Sequence, residues 1–489
     1  MKLLALLAVI GCGYLLAMRV FPWLAVRLLR LVGFRMRTTP LTEKRIRRFR
    51  SIGRGYWSFV IICTVFVSSL FLEVLVNDKP IYIRFAERTA YPALRDLGNT
   101  WLFFLDRPFK TFDRSADFGL TGEGQLDFRT FDRCFNDPET AFAAVVAGKE
   151  GELEKLLSEI ADTSAEIEEL KADGEEPEEW LTEDLEASRG ELTVIEEEIR
   201  QLRSTRESFL RGEASIFWPL YRQGPYNTRL YLPGSVPHSP TLGGIFGGGD
   251  DSGDGEGAMN PFEAPLGTDS AGVDVLPQLF YGFRVSVGFS LLVLTIGYAM
   301  GILVGGLMGY YGGWTDILLQ RLIEIWGSIP FLFTIMIIAS VINPSFWMLA
   351  VLLILLRSWL AITYYIRGEF YREKARDYVQ AAIGCGVGDF KVMAKHILPN
   401  SMIPVVSRAP FSFVSYISAL VSLDFLGFGL PPTEPSWGRL LNQGFEFIKT
   451  DPHLVVMPVM ALAVTLFLVV MIGEAVREAF DPKVFSRLR

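Results

Sequence analysis

The sequence predicts an all-α protein that crosses a membrane several times and carries a helical hairpin outside it. Three observations predict this. Half of the 489 residues are hydrophobic, and they fall in blocks too long for soluble cores. The net charge of −8 is uneven: residues 149–213 hold 22 acidic and 8 basic residues, which leaves the rest of the chain at +6. The basic clusters at Arg35–Arg54, Arg367–Lys395 and Arg477–Arg489 fall on one side when six core spans are counted, and the acidic insert falls on the other.

Residues 1–55 read as an apolar segment followed by a basic cytoplasmic stretch. Leu3 to Met18 is short for a span. No small-residue cleavage site marks it as a signal peptide. Val9-Ile10-Gly11-Cys12 faintly resembles a lipoprotein box, but lipidation there would export the basic residues behind it. An extra membrane helix and an interfacial helix continuing from Trp23 to Leu31 both remain open. The run Arg35, Arg37, Lys44, Arg45, Arg47, Arg48, Arg50 and Arg54 reads as a cytoplasmic anchor rather than a nucleic-acid site. Residues 56–77 are the first core span, with Tyr56 and Trp57 at the interface.

Residues 78–266 form an insert on the outer side. Leu153, Leu156, Ile160, Thr163, Ile167 and Leu170 alternate steps of three and four, as do Leu181, Leu185, Ser188, Leu192, Ile195, Ile199, Leu202, Arg206 and Phe209. Asp173 to Pro177 interrupts the two seams. The expectation is an antiparallel coiled-coil hairpin over 149–211, its charges mainly solvated faces. The glycine- and aspartate-rich stretch 243–257 reads as a flexible linker; Asp250, Asp251, Asp254 and Glu256 lack the order of a calcium loop. Four cysteines, Cys12, Cys63, Cys134 and Cys385, imply no disulfide framework, and three histidines without a cysteine cluster argue against zinc.

Residues 267–489 form the main transmembrane domain. Asp and Gly residues in Gly267–Asp274 build a tight surface turn. Expected spans are Val285–Gly309, Leu322–Ile342, Phe346–Ile366, Ala409–Gly429 and Leu454–Ile472. Gly301, Gly305 and Gly309 repeat every four residues, a face suited to close helix packing rather than a pore. Arg357 lies mid-span, where a charge must find a partner or water. Ser412, Ser415, Ser418 and Ser422 fall on one helical arc, which suits either interhelical hydrogen bonding or a polar lining. With Arg357 they are candidates for a translocation path.

Between two spans lies the cytoplasmic loop 367–402. Glu369 to Ile383 favours helix, and Gly384, Gly386 and Gly388 permit a reversal. Phe390, Met393 or Ala394, and Ile397 recur at helical spacing, and Pro399 is expected to end that helix. Two short helices with an exposed apolar face fit a groove on another protein.

Gln380, Ala381, Ala382, Gly386, Leu398 and Pro399 lie on the spacing E-A-A-x3-G-x9-I-x-L-P, and here the chain resembles the permeases of bacterial ABC importers. Gln380 replaces the acidic residue and His396 the isoleucine; the H-I-L-P-N ending is similar to the oligopeptide/dipeptide branch. Gly267 to Ser286, Asp424 to Gly438 and G-E-A-V-R-E-A-F-D-P-K near the C-terminus also resemble that branch, although Val273 stands where it usually has arginine. Asn77-Asp78-Lys79-Pro80 points to its microcin C and oligopeptide sub-branch. The resemblance covers Arg45–Asp78 loosely and Gly267–Lys483 closely, not the N-terminal extension or the hairpin.

The resemblance implies the type I permease fold, a bacterial inner-membrane location with the insert in the periplasm, and a peptide cargo. It also implies a second, B-type permease, cytoplasmic ATPase subunits docking on Gln380, Ala381, Ala382, Gly386, His396, Leu398 and Pro399, and a periplasmic solute-binding protein. ATP and magnesium would be used by the ATPase partners, since no G-x-x-x-x-G-K-[ST] occurs here and no cofactor is expected on this chain. Two other classes compete. An ion-coupled transporter or channel would need intramembrane carboxylate or histidine relays, which the spans scarcely offer. A membrane-anchored interaction protein acting through its hairpin leaves the cytoplasmic loop unexplained. A membrane enzyme lacks a clustered nucleophile, base or metal set.

Overall fold

The computed structural model describes residues 10–20, 23, 27, 40–85, 88–101, 128, 134–135, 137–172, 179–229, 236–241 and 264–480. The expected linker 243–257, the hairpin connection 173–178 and the basic tail beyond residue 480 lie outside them. The chain divides into two compact units, Met1–Leu70 with Pro225–Arg489, and Phe71–Gly224.

The first unit begins with the short apolar helix α1 (Ile10–Val20), too short by itself to cross a bilayer. Basic α2 (Pro40–Ser51) and apolar α3 (Gly53–Ser69) meet at a 94° bend around Ile52. The basic helix therefore turns sharply away from the line of the apolar one. The first span was expected to run to residue 77. Helix α3 instead stops at Ser69, and one separate turn, α4 (Leu72–Leu75), begins the second unit.

The second unit is not purely helical. Strands β1 (Tyr82–Phe85) and β2 (Arg88–Ala90) pair antiparallel, and β3 (Ser215–Phe217) pairs antiparallel on the other side of β1. The all-α expectation is corrected here; strands of three or four residues are too short to show a two-residue alternation. Ile83 and Ala90 are fully buried against Phe142, Leu202 and Phe209. Helix α5 (Pro92–Trp101) follows the sheet, and two long helices, α6 (Pro138–Ala172) and α7 (Glu179–Leu210), complete the unit.

Helices α6 and α7 run antiparallel. Leu156, Ile195 and Ile199 form their buried seam, and Arg203 Nη2 meets Glu150 Oε1 at 2.7 Å. Helix α6 starts at Pro138, ahead of the expected residue 149. Asp137 caps it, accepting from Thr140 N at 3.3 Å, with proline at the first helical position. The two ends of the unit meet: Val76 bridges Tyr221, with Tyr221 N donating to Leu75 O and Asn77 N to Tyr221 O.

The first unit resumes with the long helix α8 (Val275–Tyr311). Then come α9 (Gly313–Gly327), α10 (Phe331–Val341), α11 (Phe346–Leu353), α12 (Leu360–Lys374) and the short loop helix α13 (Asp377–Gly384). Helix α14 (Leu398–Phe425), α15 (Trp437–Glu446) and α16 (His453–Phe480) complete it. By length and composition, three helices could cross a membrane, or six if each bent pair is one span.

The bent pairs depart from the straight spans expected. Leu322–Ile342 is broken by 65° between α9 and α10, where Pro330 cannot donate to the helix ladder. Phe346–Ile366 bends by 44° after a wide π turn at Ile354–Ser358. The expected span Ala409–Gly429 overlaps the C-terminal part of a helical run that begins at Asp389 and ends at Phe425.

Gly301, Gly305 and Gly309 face α12. A β-carbon at Gly301 would lie 2.0 Å from Ile362 Cγ2, at Gly305 2.4 Å from Thr363 O, and at Gly309 2.7 Å from Arg367 O. Gly297 extends the stripe, its β-carbon position lying 2.0 Å from Ser358 Oγ. Only glycine lets these two backbones approach so closely.

Candidate functional site

The loop 367–402 is built on a helix, a left-handed turn and a second helix. Gly386 has φ +75°. Its N–H donates to Ile383 O at 2.9 Å, and Val387 N donates to Ala382 O at 3.2 Å. This is the Schellman arrangement, and it needs a left-handed residue after the last helical turn. Ala382 is half-buried; Gln380, Ala381 and Gly386 are exposed. Gln380 Nε2 donates to Lys374 O at 2.8 Å and so satisfies a carbonyl at the end of α12. A carboxylate could not make that bond, which gives the amide at this position a local structural purpose.

The second helix departs from expectation. Pro399 does not end it. The chain passes through a π turn, Val392–Ile397, directly into α14, with Leu398 and Pro399 as that helix's opening residues. A proline ring clashes with the carbonyl four residues back in a regular helix, and the wide turn lies at that point. The wide turn also changes which residues share a face. Val392 and Ile397, five apart, are fully buried, Met393 is half-buried, and Phe390 is 78% exposed. The expected single apolar face through Phe390 and Ile397 is therefore split between core and surface. His396 is half-buried, and its carbonyl accepts from Asn400 Nδ2 at 3.2 Å.

Polar contacts tie the loop to the membrane helices. Tyr310 OH, at the end of α8, donates to Asp389 Oδ1 at 2.7 Å, and Lys374 Nζ donates to Tyr310 O. Tyr378 OH donates to Glu373 Oε2 at 2.7 Å and accepts from Asn400 Nδ2 at 2.8 Å. Burial, then the bond to Glu373, pushes the Tyr378 hydroxyl above its usual range. Next to this cluster Arg367 grips Asp316 through two nitrogens, at 2.6 and 2.7 Å, and Tyr371 OH adds a third bond at 2.7 Å. Sequence reading missed Tyr310, Asp316, Arg367 and Tyr371 as anchors. The aromatic pair before Gly312 and the aspartate at 389 were the only signals, and partners 51 to 79 residues apart are not legible as pairs.

A second group surrounds a cavity of about 430 Å³. Arg357, Ser415, Ser418 and Ser422 line it, with Phe331 and Tyr416. Ser412 does not join them; its Oγ accepts from Tyr298 OH at 2.9 Å, so it ties α14 to α8. The serine arc thus divides into one packing residue and three lining residues. Arg357 sits on the π turn, its guanidinium carbon 5.4 Å from the Phe331 ring centre. That turn is held from three sides: Trp326 and Trp359 both donate to Leu355 O, and Tyr416 OH donates to Ser358 O.

The segments singled out at the helix ends are polar knots. Asp269 Oδ1 accepts from Ala271 N and Val273 N, and Oδ2 from Gln278 Nε2, all within 2.9 Å. Asp274 caps α8 through Leu276 N and meets Arg229 Nη2 at 3.1 Å, both side chains being 1% exposed. Asp424 holds the far segment, accepting from Leu430 N at 2.7 Å and from Ser436 Oγ. Trp437 Nε1 donates to Leu279 O at 2.9 Å. A β-carbon at Gly282 would fall 2.7 Å from the Trp437 ring, and one at Gly438 2.3 Å from Val421 O. Burial holds the Arg439 guanidinium below its usual range and pushes the Glu434 carboxyl up. Among the described residues no group of three His, Cys, Asp or Glu gathers as metal ligands.

Residues 301–486 match the family of binding-protein-dependent transport system inner membrane components. The chain is 30% identical over 446 residues to the inner membrane ABC transporter permease protein YejE of Escherichia coli (strain K12), covering 91% of this chain and 98% of that one. It is 30% identical over 453 residues to the peptidoglycan transport system permease protein YejE of Agrobacterium fabrum (strain C58 / ATCC 33970), covering 91% and 94%. The oligopeptide transport system permease protein OppC of Haemophilus influenzae is 33% identical over 218 residues, 45% of this chain and 70% of that one. With its apolar helices and these relatives, the chain belongs to the inner membrane permease subunits of binding-protein-dependent ABC transport systems.

Proposed function

We propose that this chain is the permease subunit of an ATP-driven importer that moves peptides across the bacterial inner membrane. One observation carries the reading. The similarity to an ABC permease extends over 91% of this chain, insert included, while the region shared with the oligopeptide permease covers 45%. This supports a reading in which the membrane unit carries the transport function and the insert is a feature of a longer type of permease.

In this reading six core spans form a type I permease half, paired with a second permease subunit. The loop 378–400 docks on the cytoplasmic ATPase, which binds ATP and magnesium. Exposed Phe390 and Ile383 offer the apolar contact. Gly386 shapes the turn, and Tyr310–Asp389 carries the push into α8. The insert lies on the periplasmic side, toward a solute-binding protein.

The test replaces Ala382 with Glu, or Gly386 with Val, in the assembled importer. The φ of +75° at Gly386 makes a β-branched residue there costly. Peptide uptake and transport-coupled ATP hydrolysis should fall at least tenfold while membrane insertion is unchanged. Normal uptake in both variants would refute the docking site. Failure of this chain to co-purify with an ATPase would refute the importer.

A further inference from the structure

We propose that the cavity at Arg357 is a carboxylate-recognition site for the cargo, with the guanidinium taking the anionic group and Ser415, Ser418 and Ser422 supplying adjacent hydroxyls. The inference rests on the peptide-importer reading and names the chemical group that this subunit selects.

Two irregularities and one polar helix face converge there. The chain breaks at Pro330, and this brings Phe331 to the cavity wall. The π turn at Ile354–Ser358 carries Arg357, and such turns often mark functional sites. Helix α14 contributes three hydroxyls on its facing side. The position of the cation is also unusual. It lies roughly 17 Å along the helix from Phe346, well inside the bent span. A charge at that depth needs a partner or a water-filled cavity. Among the described residues Arg357 forms no ion pair within 4.0 Å; its guanidinium lies over the face of Phe331, and it is exposed in this subunit. The turn beneath it is fixed by Trp326, Trp359 and Tyr416, so the backbone that carries the cation is held in place.

A planar guanidinium suits a carboxylate through two parallel hydrogen bonds, and nearby hydroxyls can share the remaining lone pairs. A peptide cargo brings carboxylates of two kinds, at its C-terminus and on acidic side chains. The site recognises the group, and the source can be separated by experiment.

The experiment uses the complete importer with its binding protein in proteoliposomes. Uptake is measured for one apolar peptide as the free acid, as the C-terminal amide, and as the amide carrying one glutamate. Each is run with the unaltered chain and with Arg357→Gln; a Ser418→Ala variant is the second probe. In the unaltered importer the free acid should be carried roughly tenfold faster than the amide, about the worth of one charge-assisted bond pair. Arg357→Gln should erase that ratio by slowing the free acid to the rate of the amide, and Ser418→Ala should reduce the ratio in part. If the glutamate restores uptake of the amide, a side-chain carboxylate also fills the site; if it does not, the C-terminus alone does, and both results support recognition of a carboxylate.

Equal slowing of all three peptides by Arg357→Gln would assign Arg357 a structural role and overturn the proposal. So would an unchanged ratio. Uptake of none of the peptides by the unaltered importer would instead overturn the peptide reading, and the proposal with it.

Discussion

Replacing Gly305 with alanine tests whether α8 and α12 touch backbone to backbone. The new β-carbon would sit 2.4 Å from Thr363 O and 3.1 Å from Ile366 Cβ. Carbon and oxygen settle near 3.3 Å, so the helices must part by about 1 Å at this point. The obstacle is a carbonyl inside a helix, which cannot rotate aside. Overpacking of this kind costs about 1–3 kcal/mol, against a gain of up to about 1 kcal/mol from alanine's better helix propensity. The net loss is about 1–2 kcal/mol. The neighbour supplies the control. At Gly306 the nearest atom is Phe370 Cε1 at 3.2 Å, the far end of a side chain that can yield. At Gly288 nothing lies within 4 Å. Gly306→Ala and Gly288→Ala should therefore be neutral or slightly stabilising. The assay is thermal denaturation of the purified transporter, read as the fraction remaining monodisperse. Gly305→Ala should melt several degrees lower, at roughly 2–4 °C per kcal/mol. Equal melting of Gly305→Ala and Gly306→Ala would refute the close approach.

Two further outcomes follow from buried groups. Arg229→Met removes the counter-charge of the Asp274 carboxylate at 1% exposure and should cost about 3–5 kcal/mol, seen as loss of folded protein; Arg229→Met with Asp274→Asn should recover part of it. A loss below about 1 kcal/mol in the single variant would mean that the pair is not buried. Burial pushes the Cys134 thiol from 9.0 up to about 11, whereas Cys385 is exposed in the loop. A maleimide at pH 7.5 should modify Cys385 at least tenfold faster than Cys134, and the reverse order would contradict the placement of both. The raised thiol also has a sign: its contribution is complete below about pH 9 and is lost as pH rises through 11. Cys134→Ala should remove that alkaline slope.

The membrane class was legible because apolar length and basic loops are properties of single segments. The Gly386 turn was legible for a similar reason, since a left-handed helix end needs glycine. The glycine stripe on α8 showed its spacing, but its partner, α12, could be found only in space. The wide turns at Ile354–Ser358 and Val392–Ile397 were not legible. No residue type announces a π turn, and Pro399 alone suggested a helix end. The bend at Pro330 was passed over because Leu322 to Ile342 is apolar enough on average to read as one span. The strands around Ile83 were too short to show a period. At Arg357 a charge in an apolar run marked the position, while the cavity around it required three elements far apart in sequence.

The meeting of Val76 and Tyr221 bears on how this chain could acquire its second unit. A guest domain whose entry and exit points are hydrogen-bonded to each other presents itself to its host as a brief connector. Closing a structureless segment of the same length, Phe71 to Gly224, would cost about 3 kcal/mol more than closing one of four residues. The guest meets that cost from its own folding, around Ile83, Phe142 and Leu202. A permease scaffold can then accept such a passenger at the cost of a short connection, and shorter permeases without it share the region matched here.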